Sequence, residues 1–231
     1  MISFWTRLLD LISPRLCVVC GRRLDVTEEG VCSKCYLHLP RTGYQHKPYD
    51  NPMAKAYWGR MPIERAAALY YHESHAESAN IIYALKYKSR PEIGEAMGRM
   101  TARELTASGF FEGIDGLVPV PLARKRLRQR GYNQSMMLAK GISEATGLPI
   151  YERAVERIVY EDSQTHKIRW ERNENVEDVF RLADATAISG KHLLLIDDVV
   201  TTGATTIACG KVLLQAGNVR LSILSLAFAK S

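Results

Sequence analysis

The stretch Leu193-Leu-Leu-Ile-Asp-Asp-Val-Val-Thr-Thr-Gly-Ala-Thr-Thr206 decides the fold. Leu193 to Ile196 is short and wholly apolar, as expected of a central parallel strand covered on both faces, and Asp197 and Asp198 follow it directly. Two carboxylates therefore stand at the carboxyl end of a strand, the edge at which open parallel sheets bind ligands. Such a pair accepts hydrogen bonds from two vicinal sugar hydroxyls. The rival reading is a buried strand with a tidy N-cap, and it leaves the acids without a purpose, because carboxylates are costly to bury unpaired. Thr201, Thr202, Gly203, Ala204 and Thr205 supply the other half of the site. Gly203 tolerates positive φ, and threonine hydroxyls join the free N–H groups of a helix N-terminus in aiming donors at an anion. The segment reads as a cradle for ribose 5-phosphate.

The chain around it is that of a folded protein. Its 231 residues are 46% hydrophobic and 24% charged, enough for one good core and a small appendage, which excludes global disorder. A net charge of +6 suits polyanions, whether diphosphate or nucleic acid, without choosing between them. No apolar stretch reaches the length of a bilayer span. Residues 1–12 lack a leading charge cluster and are interrupted by Arg7 and Asp10, so a cytoplasmic location is expected. In that segment Trp5, Leu8, Leu9 and Ile12 share one helical face, for packing on the body or for meeting a partner or a membrane surface.

Four of the five cysteines form two pairs, Cys17-Val-Val-Cys20 and Cys32-Ser-Lys-Cys35. Each CxxC makes a tight knuckle, and two facing knuckles give a closed, tetrahedral four-cysteine zinc site with no open position, hence a structural one. Two disulfides are the alternative, and a reducing cytoplasm disfavours them. Cys209 falls within a helix and reads as a small core residue. Residues 1–40 are accordingly an N-terminal helix and zinc ribbon. Residues 41–61 lie in a stretch with four prolines and little periodicity, which reads as a linker or arm, and residues 62–231 form the main domain.

Within the main domain, residues 66–71 read as a strand, 77–87 and 91–107 as helices, and 219–227 as a further strand, with Gly217 capping the helix that begins near Thr205. Lys86 and Lys88 close the first of these helices, either facing the ligand edge or ending in solvent. A strand that runs into prolines, Gly116-Leu-Val-Pro-Val-Pro-Leu122, precedes Arg124-Lys-Arg-Leu-Arg-Gln-Arg-Gly-Tyr-Asn-Gln134. Its five cations in seven residues suit a diphosphate, whose oxygens guanidinium groups grip in bidentate fashion. Residues 160–178 are polar, long and mixed in charge, either a functional loop or a solvent-facing segment with ordinary salt pairing.

The Asp197 segment resembles the phosphoribosyl diphosphate (PRPP) signature of type I phosphoribosyltransferases. Joined to Cys17, Cys20, Cys32 and Cys35, to Leu85-Lys-Tyr87, Val118-Pro-Val-Pro121, Arg130-Gly-Tyr-Asn-Gln134, Gln164, Arg172, Asn175 and Phe180, it is similar to the ComF family. The resemblance implies an α/β fold, a type I phosphoribosyltransferase-like parallel sheet flanked by helices with a small N-terminal zinc ribbon. It implies PRPP or another phosphoribosyl ligand, bound with Mg2+. Asp197 and Asp198 would hold the ribose hydroxyls, while Thr201, Thr202, Gly203, Ala204 and Thr205 would wrap the 5-phosphate. Arg124, Arg126 and Arg130 would face the diphosphate. Residues 160–178 would be the flap, from which Lys167 and Arg169 join Asp197 and Asp198 as the catalytic set, with Arg172 a further candidate cation. The expected activity is transfer of a phosphoribosyl group to an unknown acceptor. The alternative is a non-enzymatic competence or DNA-uptake factor with the PRPP pocket as sensor. Such a factor would bind competence or recombination proteins, and single-stranded DNA along the aromatics and cations from Tyr44 to Arg60, where an enzyme would use Tyr44, Tyr49, Tyr57 and Trp58 as a base-stacking hood; the rival reading of the same stretch is an arm that covers the core.

Overall fold

The computed structural model describes residues 14–158 and 179–229. Four parallel strands make the central sheet: β1 (Arg65–His72), β2 (Gly116–Pro119), β5 (His192–Val200) and β6 (Arg220–Ala229), in the spatial order β1-β6-β5-β2. Leu195 pairs with Ile223 on one side and Val118 on the other, so the quoted apolar run sits in the middle of the sheet. Leu193, Leu194 and Leu195 are fully buried, as a strand covered on both faces demands.

Helices cover the sheet. α3 (Ala79–Tyr87) and α4 (Pro91–Thr106) follow β1; α5 (Arg124–Arg130) and α6 (Gln134–Thr146) follow β2; α7 (Ala204–Leu214) joins β5 to β6. Pro91 opens α4 at its first turn, as the sequence predicts. Gly217 differs from expectation: α7 is capped at Gln215, and Gly217, at φ +83°, sits in the next turn with its carbonyl accepting from Gly190 N–H at 3.1 Å. Two short antiparallel strands, β3 (Val155–Arg157) and β4 (Phe180–Leu182), pack near α7 and bracket the segment expected to be a flap, which lies outside the described residues.

α4 and α6 pack together more closely than ordinary side chains permit. A Cβ on Gly98 would strike the Leu138 carbonyl, and one on Gly141 would strike the Glu95 carbonyl. Backbone meets backbone there and neither side can yield cheaply. Gly141→Ala is therefore expected to destabilise the chain by about 2–3 kcal/mol, despite the roughly 1 kcal/mol that alanine adds in helix propensity. Thermal unfolding would show the loss as a fall of several degrees in Tm.

The ribbon is docked on α4. Tyr36 Oη donates to Glu104 Oε2 at 2.8 Å, Arg41 Nε reaches both Glu104 oxygens at 2.8 and 3.0 Å, and Arg99 spans Glu29 and Glu144. The proline-rich stretch after it runs along the outer edge of β1. Tyr71 N–H donates to Pro40 O and Ala66 N–H to Pro48 O, both at 2.8 Å, while Asn51 Nδ2 donates to Ala66 O at 2.9 Å. The backbone groups of an edge strand are thereby satisfied and shielded from a second chain. A short helix, α2 (Pro52–Lys55), is introduced in this stretch by the Asn51 cap and leads to Tyr57, which is fully buried.

Candidate functional site

β5 delivers Asp197 and Asp198 to the carboxyl edge of the sheet. Asp197 is held by two neighbours: its Oδ1 accepts from Ser135 Oγ at 3.1 Å and from Asp198 N–H at 2.9 Å. Burial, and then the adjacent Asp198 charge, push the Asp197 carboxyl well above the usual carboxylate range. Asp198 is buried, its Oδ1 accepting from Val199 N–H at 2.8 Å and its Oδ2 lying 3.3 Å from the Lys86 ammonium. Lys86 thus faces the acid pair, which settles one of the two readings left open for it. Lys88, next but one, is exposed with its ammonium 5.5 Å from the centre of the Tyr83 ring.

Immediately beyond, the chain turns at Gly203, whose φ of +74° is the left-handed conformation that glycine takes without strain. α7 starts at the next residue. Its first N–H groups lack helical partners, and a cavity of about 60 Å³ lies against them, ringed by Asp197, Val199, Val200 and residues 201–206. That is far below the several hundred cubic ångströms of a typical ligand pocket and suits a single small anion. The floor of this turn comes from elsewhere. The Tyr57 ring lies 3.4 Å from where a Cβ on Gly203 would stand, and its hydroxyl pairs with Thr206 Oγ1 at 2.8 Å. Arg60 Nη1 donates to Thr202 O at 2.9 Å.

The basic helix divides its cations. Arg126 and Arg130, four residues apart, share one face and line a basin of about 580 Å³ with Lys86, Tyr87, Ser89 and Gln129. Arg124 is two residues from Arg126, about 200° around the helix, and lines a different groove with Lys140, Arg153 and Arg157. In this conformation Arg124 therefore lies on a different groove from Arg126 and Arg130. Arg130-Gly-Tyr-Asn-Gln134 proves to be a clasp. Gly131 ends α5 at φ +80°, and Arg130 donates to Gln134 at 2.7 Å. Tyr132 Oη donates to Leu85 O at 2.6 Å, and Asn133 caps α6 while donating to Val120 O at 3.0 Å. Lys167, Arg169 and Arg172 lie outside the described residues.

Of the four aromatics expected to stack on bases, Tyr44 and Tyr57 are buried, at 5% and 0% exposure, and belong to the core. Tyr49 and Trp58 stay exposed. Sequence reading missed the exposed pair on α3: Tyr83 and Tyr87, one helical turn apart with ring centres 5.2 Å from each other, Tyr87 also carrying the Arg130 guanidinium at 5.8 Å. The i, i+4 spacing is a signal for that pair.

Away from this edge, Cys17, Cys20, Cys32 and Cys35 place their four sulfurs within 4.8 Å of one another, and all four are free thiols. A tetrahedron of thiolates at the usual zinc–sulfur distance of about 2.3 Å has edges of about 3.8 Å. The Cys20 and Cys32 sulfurs stand 3.9 Å apart, so the donor set fits such an ion. Cys32 N–H donates to Cys17 Sγ and Cys35 N–H to Cys32 Sγ, as in a metal knuckle. Beside them Glu28 accepts from Asp25 N–H, Ser33 N–H and Arg22, contacts that hold its carboxyl down at about 2.

No family model matches the chain. Relatives do. The DNA utilization protein YhgH of Salmonella typhimurium is 27% identical over 217 residues, covering 90% of this chain and 94% of its own. Competence protein F of Haemophilus influenzae is 24% identical over 228 residues, covering 92% and 96%. Over about nine-tenths of its length the chain is thus similar to DNA utilization and competence proteins, the relatives expected of a ComF-type sequence. The order of parts seen here agrees with the ComF resemblance: a four-cysteine cluster followed by a parallel sheet with a threonine-rich turn after the acid pair. Among solved structures, an adenine phosphoribosyltransferase aligns over 60% of this chain and 80% of its own, at 17% identity and a TM-score of 0.36.

Proposed function

We propose that the chain binds PRPP and transfers its phosphoribosyl group to a small acceptor. One observation carries this reading: an anion-sized cavity at the N-terminus of α7 adjoins a carboxylate pair at the carboxyl end of the central strand. The 5-phosphate occupies that cavity, with Thr201, Thr202, Gly203, Ala204 and Thr205 around it. The ribose hydroxyls donate to Asp197 and Asp198, and the diphosphate points toward Arg126 and Arg130. Two adjacent carboxylates suit a hard divalent cation, and magnesium bound there with the ligand would neutralise the leaving diphosphate. In the reaction the bond from the anomeric carbon to diphosphate breaks, its electron pair leaves with the diphosphate, and the acceptor's lone pair forms the new bond. Calorimetry with PRPP and magnesium, followed by a diphosphate-release assay over a panel of nucleobases, tests it: binding with turnover is expected, and absence of PRPP binding would remove the reading.

The cysteine cluster supports zinc in a purely structural role, and free thiols accord with a cytoplasmic setting. Among the described residues no helix is long and apolar enough to cross a membrane.

A second reading, a factor that binds single-stranded DNA, is favoured by a different feature. Tyr83 and Tyr87 are 52% and 66% exposed, and each has a cation near its face, Lys88 at 5.5 Å and Arg130 at 5.8 Å. Exposed rings beside cations are the means by which proteins stack bases while tracking a phosphate backbone. Tyr87→Ala should weaken binding of a fluorescent oligothymidylate by about tenfold, since each stacked base contributes about 1–3 kcal/mol. Wild-type affinity should also fall with rising salt. An oligonucleotide that binds neither protein would dismiss this reading.

A further inference from the structure

Lys86 stands in the last turn of α3 and is shared by two places the sequence keeps apart. Its ammonium is 3.3 Å from Asp198 Oδ2, and its side chain also forms one wall of the basin bounded by Arg126 and Arg130. The pair is well shielded, with the Lys86 side chain 24% and the Asp198 side chain 12% exposed, so this charge matters more than a surface one. In the basin, Arg130 is already engaged with Gln134 and the Tyr87 face. Lysine suits a site that changes partners: a compact ammonium on a flexible four-carbon stem with three rotatable donors.

The two halves of the proposed ligand place different demands on this one cation. A ribose 5-phosphate offers hydroxyls to Asp198 and nothing to the basin, so its binding competes with the existing ion pair without a replacement for it. A ligand that also carries a diphosphate supplies the ammonium with new anionic oxygens on the basin side. We propose that Lys86 is the specificity-determining residue for the diphosphate. It neutralises Asp198 when the basin is empty and turns to the diphosphate oxygens when they are present, an assignment that rests on the phosphoribosyl reading above. Arg126 and Arg130 then attract the diphosphate, and Lys86 makes the acid pair's availability depend on its arrival.

The test is a comparison of ligands as well as of variants. Affinities for PRPP and for ribose 5-phosphate, each with magnesium, are measured by calorimetry on the full chain and on Lys86→Gln and Lys86→Arg. Wild type is expected to prefer PRPP. In Lys86→Gln the PRPP affinity should fall by about tenfold or more while ribose 5-phosphate binds as well as before or better, and Lys86→Arg should restore the preference. Lys86→Met, which keeps the aliphatic stem, replaces the Gln variant if that one melts early. Equal weakening of both ligands would show that Lys86 only holds Asp198 in place, and would overturn the assignment while leaving the phosphoribosyl reading standing. Failure of wild type to bind either ligand would overturn both.

Discussion

Asp198→Asn is expected to weaken PRPP by about ten- to a hundredfold, with a folded protein left behind. Hydrogen bonds to a charged acceptor are worth about 1.5–3 kcal/mol each. Asp198 shares the two ribose hydroxyls with Asp197, so loss of its charge amounts to about 1.5–3 kcal/mol, and each 1.4 kcal/mol is a factor of ten. The fold should survive because an asparagine oxygen still accepts the local bond from Val199 N–H. Two secondary effects follow from the geometry. Lys86 loses the partner now 3.3 Å away, and Asp197 loses the neighbouring charge that helps to raise its carboxyl, so its affinity for a proton drops back toward the ordinary range. Calorimetry with magnesium and PRPP reads the first effect directly. A loss of threefold or less, on the order of 0.6 kcal/mol, would mean that the ribose is not held at this position.

Removal of the zinc proposed for the four cysteines is expected to have the other large effect, and a local one. The ribbon's own apolar interior is little more than Cys17, Leu24, Val31 and Cys32, too small to fold unaided. A structural zinc contributes roughly 10–16 kcal/mol to comparable peptides at neutral pH. Chelation, or Cys32→Ser, should therefore release the ion and unfold residues 15–37, together with the docking contacts of Tyr36 on Glu104. Hydrogen exchange should then show fast amides there and continued protection in β5 and β6, whose pairing lies in a separate part of the structure. Metal content measured on the intact chain should be one zinc per chain, four thiols making one closed site. Protected ribbon amides after the metal has gone would show that packing alone suffices.

What could be read from the sequence follows from distance along the chain. The placement of the acid pair, Gly203 and the turn was legible because strand, carboxylates, glycine turn and helix start are contiguous in the chain. The cysteines were legible for a similar reason, since ligand spacing within each CxxC is itself the geometry. Lys86 and Asp198 are 112 positions apart (198 − 86), and nothing local announces their meeting. Ser135, which holds Asp197, is marked in sequence only as the residue after a helix start. The basic run was visible as charge, but its division depended on helical phase: once residues 124–130 wind into α5, alternate arginines point apart. For Tyr57 the choice between base stacking and covering the core stayed open in the sequence, because prolines and a missing period disguise a stretch that packs along a strand edge.

The position of Tyr57 also bears on where one heritable unit ends and another begins. Its ring supports Gly203 and its hydroxyl meets Thr206, so the surface beneath the threonine-rich turn is encoded some 150 codons upstream, between the cysteines and the first strand. A recombination joining foreign sequence at residue 62 would transmit every strand of the sheet and leave that support behind. The segment with which the sheet must be co-inherited starts earlier, at the proline-rich stretch itself.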